Sequence, residues 1–554
     1  MLRQTLQQPF SSKLKSDDVD KLEQVKGYHQ RTKHSLQEYA AGPDGLDWDD
    51  QPEAFRWFDG TPKFQLPLVA DKLTATFSQV FRSEETNAHT INKESIAALF
   101  ELSLGLSAWK QSGDAKWALR CNPSSGNLHP TEGYAVLPQT EDIPAGVYHY
   151  LSRDHTLEQR CQVDNFALPD HCFLVGLSSI HWREAWKYGE RAYRYCQLDV
   201  GHAIACMGYA AACLGWNVSV LDHWSDEEIA SLLGLNHATS FTDAEKEHSD
   251  VLLLIDSSDT PAADINIETL LSVASEAKWQ GKANKLSPLH GYDWPIIDVV
   301  SEACTKPGTQ RSVTEDINFP PPLSTDSEAL AATIIRQRRS AQAFDGTTTM
   351  PVDTFYKMMD AVLPRNDTLP WSTLNSIGHL HLIIFVHRIK GLNPGLYLLG
   401  RKPGSLDFLK AQMPREEFKW KKPDDCPEHI PLYCLAKANG QRLAGTLSCH
   451  QGIAAQSCFS LGMLAEFEDA LEEPWHYRQL YWEAGTLGQV LYLEAEAAGV
   501  RGTGIGCYFD DDLHGVLGIS TAKLQSLYHF TVGVPIVDAR LTTLAPYSHL
   551  EESQ

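Results

Sequence analysis

The chain has no long basic block. Its 71 Asp and Glu outweigh 47 Lys and Arg, giving a formal net charge of −24 over 554 residues. Phosphate backbones need clustered cations, so nucleic acid is excluded as a partner. Long apolar runs are also missing. The longest nearly apolar stretch, Ala203 to Trp216, falls short of the ~20 residues a membrane-spanning helix needs. The stretch MLRQTLQQPFSSKLKSDD lacks the apolar centre of a secretory signal. A soluble, cytoplasmic protein with no membrane partner is expected. The twelve Cys are scattered and form no C-x-x-C. Cys206 and Cys213 lie in an apolar helical pattern and read as buried, reduced thiols. His379, His381, Cys449 and His450 have no second ligand pair nearby, so no metal site is expected.

What is present is ordinary for a globular protein. The 43% hydrophobic content is enough for a sizeable core. Self-comparison then finds a repeat. The segment Asp199–Gly215 matches Glu483–Gly499 when shifted by 284, which brings Gly201 onto Gly485, Ala211 onto Ala495 and Gly215 onto Gly499. The same shift, without a gap, takes Asp226 to Asp510, Leu233 to Leu517 and Gly234 to Gly518. Small and apolar residues recur at helical spacing, and a Gly closes each helix. Asp226 and Asp510 are expected as N-caps of the following short helices. Apolar strands, Val251–Ile255 and Phe530–Val534, close the halves. The mixture reads as α+β. The halves also begin alike, at Arg31–Ser35 and Arg336–Ser340. The stretch between them, rich in Pro, Ser and Asp, reads as a connector with one or two short helices.

Four motifs could carry chemistry. Arg338-Arg339-Ser340 sets two guanidiniums beside a hydroxyl, which suits phosphate or carbonyl oxygens. Asn122-Pro123-Ser124-Ser125-Gly126-Asn127-Leu128-His129-Pro130 is a tight turn with small hydrogen-bonding side chains, able to lie against a flat polar ring. No G-x-S-x-G surrounds its serines, which argues against a nucleophile. Gly502-Thr503-Gly504-Ile505-Gly506 lets a backbone approach a ligand closely. It reads as a loop after a helix, not as the G-x-G-x-x-G of a dinucleotide fold. Arg540, beyond the last strand, could add a cation. Taken singly, each has a plain structural explanation: a solvated helix end, a surface turn, a flexible turn and a surface Arg.

Together, in this order, these residues resemble the nitroreductase family of FMN enzymes, over roughly 28–258 and 325–547. The tandem members related to azoline dehydrogenases of modified peptides look closest, on Tyr28–Ser35, Gly45-Leu-Asp-Trp48 and Arg120–Pro130. The resemblance implies two nitroreductase-like domains, each a mixed or antiparallel sheet flanked by helices, packed as an intrachain pseudo-dimer. Residues 1–27 would be an extension and 259–324 the connector. It implies an FMN site shared between halves. Arg338, Arg339, Ser340, Gly504, Ile505, Gly506, Cys507 and Arg540 would come from half two, and Pro123, Ser124, Ser125, Gly126 and Asn127 from half one. Gln342 stands where many members have a basic residue, and His129 where Gln is frequent. A second site would use Lys33, His34 and Ser35 with Val218–Asp222 and Trp371–Ser376. It lacks both the glycines and the Pro-Ser-Ser turn, so one FMN per chain is expected.

The resemblance implies ping-pong hydride transfer from NAD(P)H to a nitroaromatic, quinone or similar acceptor. The alternative is a flavin dehydrogenase acting on a peptide azoline or other metabolite, with oxygen as acceptor. Azoline dehydrogenases use a Lys-Tyr pair. Lys187-Tyr188 is adjacent here, with nothing in the sequence to anchor it. A flavin-binding protein without turnover is the third reading. No catalytic acid or base is assigned. The protein would be a monomeric pseudo-dimer or a homo-oligomer.

Overall fold

The computed structural model describes residues 16–81, 87–258, 265–311, 317, 319–323, 327–375 and 377–551. Two antiparallel sheets form its two halves. The first is built on β1 (Thr131–Leu137), β2 (Gly146–Leu151), β3 (Thr156–Gln162), β4 (Cys172–Ser179), β5 (Asn217–Val220) and β6 (His248–Asp256), in the order β3-β2-β1-β4-β6-β5. A short strand, Lys63–Gln65, extends it beside β3. The second is built on β7 (Leu380–Val386), β8 (Gly395–Leu399), β9 (Leu432–Lys437), β10 (Phe459–Glu466), β11 (Arg501–Ile505) and β12 (Leu524–Gly533), in the order β9-β8-β7-β10-β12-β11. The two orders are the same. In each half a long helix, α1 (Ala192–Ala212) or α2 (His476–Ala497), joins the fourth strand to the fifth.

Alternation along the strands explains the layering, because successive side chains point to opposite faces. On β4, Phe173, Val175 and Leu177 share a core with α1, while Cys172 and Leu174 pack with Leu232 and Leu233 of the outer helix Asp226–Leu233. On β7, Leu382 and Ile384 take the inner face, while Ile383 and Phe385 pack outward with Leu513 and Leu517 of the helix Asp510–Leu517. Both faces are covered, so the strands are apolar throughout.

The long helices are buried almost end to end. They meet where neither has a side chain. A Cβ on Gly201 would collide with the carbonyl of Trp482, and one on Gly485 with that of Leu198. Thr486 Oγ1 donates to Gly201 O (3.1 Å) and Trp482 Nε1 to Gln197 Oε1 (2.7 Å) across the same contact. Beyond the helices, Gly215 and Gly499 take φ of 69° and 71°.

The expected N-caps are corrected. The helix Asp226–Leu233 is capped by Ser225, whose side chain accepts from Glu228 N, and the helix Asp510–Leu517 follows Phe509. Both Asp side chains instead bind guanidiniums from the opposite half. Asp226 Oδ1 accepts from Arg478 Nη2 (2.6 Å), and Asp510 Oδ1 from Arg194 Nη1 (2.9 Å). These helices start buried at the junction, where a charge partner outweighs a local cap. The pairs are reciprocal, since the 284 shift relates Arg194 to Arg478 as it does Asp226 to Asp510. A two-fold interface pairs residues in this way.

The connector carries the helices Ile267–Glu276 and Pro295–Ala303. The chain end then crosses back. Thr542–Leu544 pairs antiparallel with Leu106–Ser112 of half one, whose other neighbour is Ala115–Arg120. Among the described residues, no helix is long and apolar enough to cross a membrane. The Gly201–Gly485 crossing yields a prediction. Gly485→Val inserts atoms where backbone already sits, so it should cost ~1–3 kcal/mol or more, read as a lowered urea midpoint. An unchanged midpoint would mean that the helices do not pack this closely.

Candidate functional site

A cavity of about 450 Å³ opens between the halves, within the ~300–1,000 Å³ typical of small-molecule sites. Half one supplies the turn at Pro123–Asn127 and, from α1, Tyr195, Asp199 and His202. Half two supplies Arg338, Arg339, Ser340 and Gln342, the segment Gly504–Cys507, Tyr492 of α2 and Tyr528 of β12. Thus every residue expected at the shared site lines one cavity, with the exception of Arg540.

Local structure explains each placement. The helix Ala331–Gln337 ends at Arg338, whose Nη2 reaches across to Arg120 O (2.9 Å) and Cys121 O (3.2 Å) of half one. Its guanidinium lies over the Tyr492 ring at 5.0 Å. Ser340 Oγ shares a hydrogen bond with Tyr492 Oη (2.8 Å), which also accepts from Gly504 N (2.9 Å). Arg339 Nη2 donates to Ser107 O (2.7 Å). Gln342 is exposed on the cavity wall. In the turn, Ser125 N and Oγ donate to Asp199 Oδ1 (3.1 and 3.2 Å). Ser124 Oγ accepts from His129 N (2.8 Å), and Asn127 Nδ2 donates to Ala118 O (2.9 Å). The Asn127 amide therefore holds the turn together.

The glycine segment is corrected from loop to strand. It is β11, the sheet edge, paired with β12 from Arg501↔Gly533 to Ile505↔His529. Its glycines make room for aromatic rings: a Cβ on Gly504 would strike the Tyr528 hydroxyl, and one on Gly506 the Tyr195 ring. Arg540 is corrected as well. Its side chain is 86% exposed, and Nε and Nη2 are taken up by Asp538 (2.9 and 2.7 Å), only two residues away.

The cations on the cavity are Lys110, Arg120, Arg338, Arg339 and Arg501. Lys110 and Arg501 belong to no motif and were missed in the sequence. Burial, then Arg338, push Arg339 down to about 10, with Arg501 adding to the shift. Burial, then Arg339 and Arg501, lower Lys110 too. The carboxylates on the cavity are Asp199 and Asp538; Glu496, outside its lining, lies 3.6 Å from Arg501. Asp199 belongs to none of the four motifs, although the repeat signals it: Glu483 is its counterpart and accepts from Gly378 N and His379 N (2.9 and 3.0 Å) as Asp199 does from Ser125 N. Burial pushes Asp199 up to about 7, against the hydrogen bonds from Ser124 and Ser125. Lys187-Tyr188 does have an anchor. Tyr188 lines the cavity, and a Cβ on Gly126 would lie 2.5 Å from its Oη and 3.1 Å from Lys187 Nζ.

The residues expected at a second site have other surroundings. Trp371 and Arg401 are fully buried, with Arg401 over the Trp371 ring (4.8 Å) and paired with Glu483 (2.5 Å). Asn375 Nδ2 donates to Val220 O of β5 (2.9 Å); Ser376 lies outside the described residues. Thr309 of the connector bonds Asp222 O and His223 O (3.1 and 3.0 Å). Lys33, His34 and Ser35 do not join this set. Lys33 Nζ pairs with Asp511 (2.7 Å), His34 N donates to Asp510 Oδ2 (3.0 Å), and Ser35 N to Glu38 O (2.8 Å). Arg191 and Arg194 hold Thr32 through its carbonyl and hydroxyl, which turns the chain toward half two.

No family model and no curated protein matches the sequence. Among solved structures, a candidate nitroreductase from Anabaena variabilis matches 93% of this chain and 99% of its own, with 21% identity and a TM-score of 0.68. A candidate nitroreductase from Ralstonia eutropha covers 40% of this chain and 99% of its own at 15% identity and a TM-score of 0.25. A chain of the Escherichia coli microcin synthetase McbBCD complex with truncated pro-MccB17 bound covers 45% and 95% at 18% and 0.25. Superpositions at 0.25 support no structural conclusion. The first match shows the fold: this chain has a nitroreductase-like architecture along nearly its whole length.

Asp199 gives a pH prediction. Its folded pKa is raised from 3.8 to about 7, so folding takes up a proton in that window. The contribution is present below the unfolded pKa and is lost as pH rises through the folded one. Relative to Asp199→Asn, the wild type should lose stability by up to ~1.4 kcal/mol per pH unit across this range. Parallel stability curves in urea would remove the buried carboxyl from consideration.

Proposed function

We propose that this protein is an FMN-dependent oxidoreductase holding one flavin per chain in the cavity between its halves. The observation that carries the reading is the crowding of Lys110, Arg338, Arg339 and Arg501 on one cavity, which lowers the affinity of Arg339 and Lys110 for their protons. An anionic group relieves that crowding. Buried unpartnered atoms on the same walls, Arg338 Nε and Asn122 Oδ1 among them, suit a polar ligand. The residues fit FMN. Lys110, Arg339 and Arg501 offer charge for its phosphate. Ser124, Ser125, Ser340 and Gln342, with the backbone of Gly504–Cys507, offer hydrogen bonds to its ribityl chain and ring. Tyr195 and Tyr492 line the same cavity.

A bound flavin supplies reversible two-electron chemistry. NAD(P)H as donor and a nitroaromatic or quinone as acceptor is the leading reading. The fold shared with a candidate nitroreductase supports it. Lys187 and Tyr188 favour a second reading, a dehydrogenase acting on a metabolite or peptide. Burial, then Glu184, raise the Tyr188 phenol well above its usual range. Its Oη keeps a proton and can donate it at the cavity wall, with Lys187 Nζ beside it.

Arg339→Ala should weaken FMN binding about 10–100-fold, the usual worth of a charge-assisted contact, whereas Arg540→Ala should leave it unchanged. Flavin fluorescence titration reads both, and equal losses would reject the phosphate assignment. After loading, anaerobic NADH or NADPH should bleach the flavin, with Tyr188→Phe having little effect. Reduction by an azoline peptide alone, lost in Tyr188→Phe, selects the dehydrogenase.

A further inference from the structure

We propose that a second cavity, at the far edge of half two, binds a small amphipathic carboxylate whose apolar body carries an oxygen acceptor. This cavity has a volume of about 530 Å³ and shares no lining residue with the flavin cavity. It lies beside β9, at the opposite edge of the sheet from β11. The proposal does not depend on a bound flavin.

The repeat shows why space is open there. Tyr148 on β2 and Tyr397 on β8 each follow a bulge, and each Oη donates to the carbonyl four residues earlier, Pro144 O (2.7 Å) or Asn393 O (2.8 Å). In half one the ring is covered. Gln159, opposite Tyr148 on β3, donates from Nε2 to Tyr148 Oη (2.9 Å). Phe64 of the strand Lys63–Gln65 meets the same ring edge to face, with 5.7 Å between centroids. In half two the residue opposite Tyr397 is Cys434, which is shorter and carries no amide. The chain beside β9 brings lysines where half one has a phenyl ring. Lys419 N donates to Leu435 O (2.8 Å), and Lys421 N to Cys434 O (3.1 Å). Tyr397, Cys434, Lys419 and Lys421 all line the cavity.

Three features select the ligand. Val352, Leu392, Tyr397 and Cys434 offer apolar surface to its body. Tyr356, from the helix Val352–Ala361, lines the cavity and is 4% exposed, and its Oη has no hydrogen-bond partner among the described residues. Buried hydroxyls are nearly always paired, so the ligand supplies the acceptor. The rim is basic, on a chain of net charge −24: Lys419, Lys421, Lys422 and Lys437 outnumber Glu417, Asp424 and Asp425. Asp424 is taken by Lys421 (3.0 Å), and Lys419 and Lys437 belong to no ion pair among the described residues. They are left for a carboxylate. The volume falls within the ~300–1,000 Å³ of small-molecule sites.

The test titrates the full chain with a fluorescent diethylaminocoumarin carboxylate, which combines an apolar ring system, a carbonyl and an acid. Amide hydrogen exchange locates the bound probe, and exchange should slow in residues 417–437. Measured by that protection, binding should weaken ~2–10-fold in Tyr356→Phe, and ~10-fold or more both in Cys434→Gln, which introduces the half-one residue, and in Lys419→Glu combined with Lys437→Glu. Both lysines are exposed, so the double variant should keep the wild-type urea midpoint. No protection of residues 417–437 at saturating probe, protection confined to Arg338–Gln342, or equal affinity in wild type and the lysine variant would each overturn the proposal.

Discussion

Everything in this molecule hangs on the crossing of the two long helices. Gly201 and Gly485 let their backbones touch, and the pairs Arg194–Asp510 and Arg478–Asp226 lock the crossing from both sides. These charges are buried, and breaking one member would strand its partner without water. Burial works against ionising Asp510, yet Arg191 and Arg194 hold it well below the usual carboxylate range. The register of one half on the other is thereby set. That register brings the Pro123–Asn127 turn opposite Arg338–Ser340 and the end of β11.

The same reciprocity would make two equivalent cavities if the sequence were symmetric throughout. It is symmetric in the helices and diverges at their ends. Where β11 and its continuation have Gly502, Gly504 and Gly506, β5 and its continuation have Val218, Val220 and Asp222. The glycines leave space that Tyr528 and Tyr195 border, whereas the valines sit in the core. Opposite them, Glu483 draws in Arg401 over Trp371, while its counterpart Asp199 faces the cavity and keeps only the turn's hydrogen bonds. An acid that one half pairs with a guanidinium, the other leaves to the hydrogen bonds of a turn at the cavity wall.

Much of this was legible in the sequence, because a gapless repeat and small residues at helical spacing are local signals. Besides the helices, the 284 shift lines up β5 with β11. Other features depend on long-range partners. The alternate glycines of β11 have poor strand propensity and pass for a loop; only pairing with β12 makes them a strand. Asp226 and Asp510 stand where caps are common, but guanidiniums from the other half claim them. Arg540 looks like a phosphate ligand until Asp538, two residues before it, takes its charge. Lys110 and Arg501 sit in no motif, and only the folded hairpin and sheet edge bring them to Arg339. Lys33–Ser35 copies the start of half two in composition, yet the hold of Arg191 and Arg194 on Thr32 sends it elsewhere.

One asymmetric cavity built from both halves is the central claim, and cofactor stoichiometry tests it most directly. Equilibrium titration of the purified full chain with FMN, followed by flavin fluorescence and checked by released flavin per chain, should saturate at one FMN. Saturation at two, or no binding at all, would contradict it.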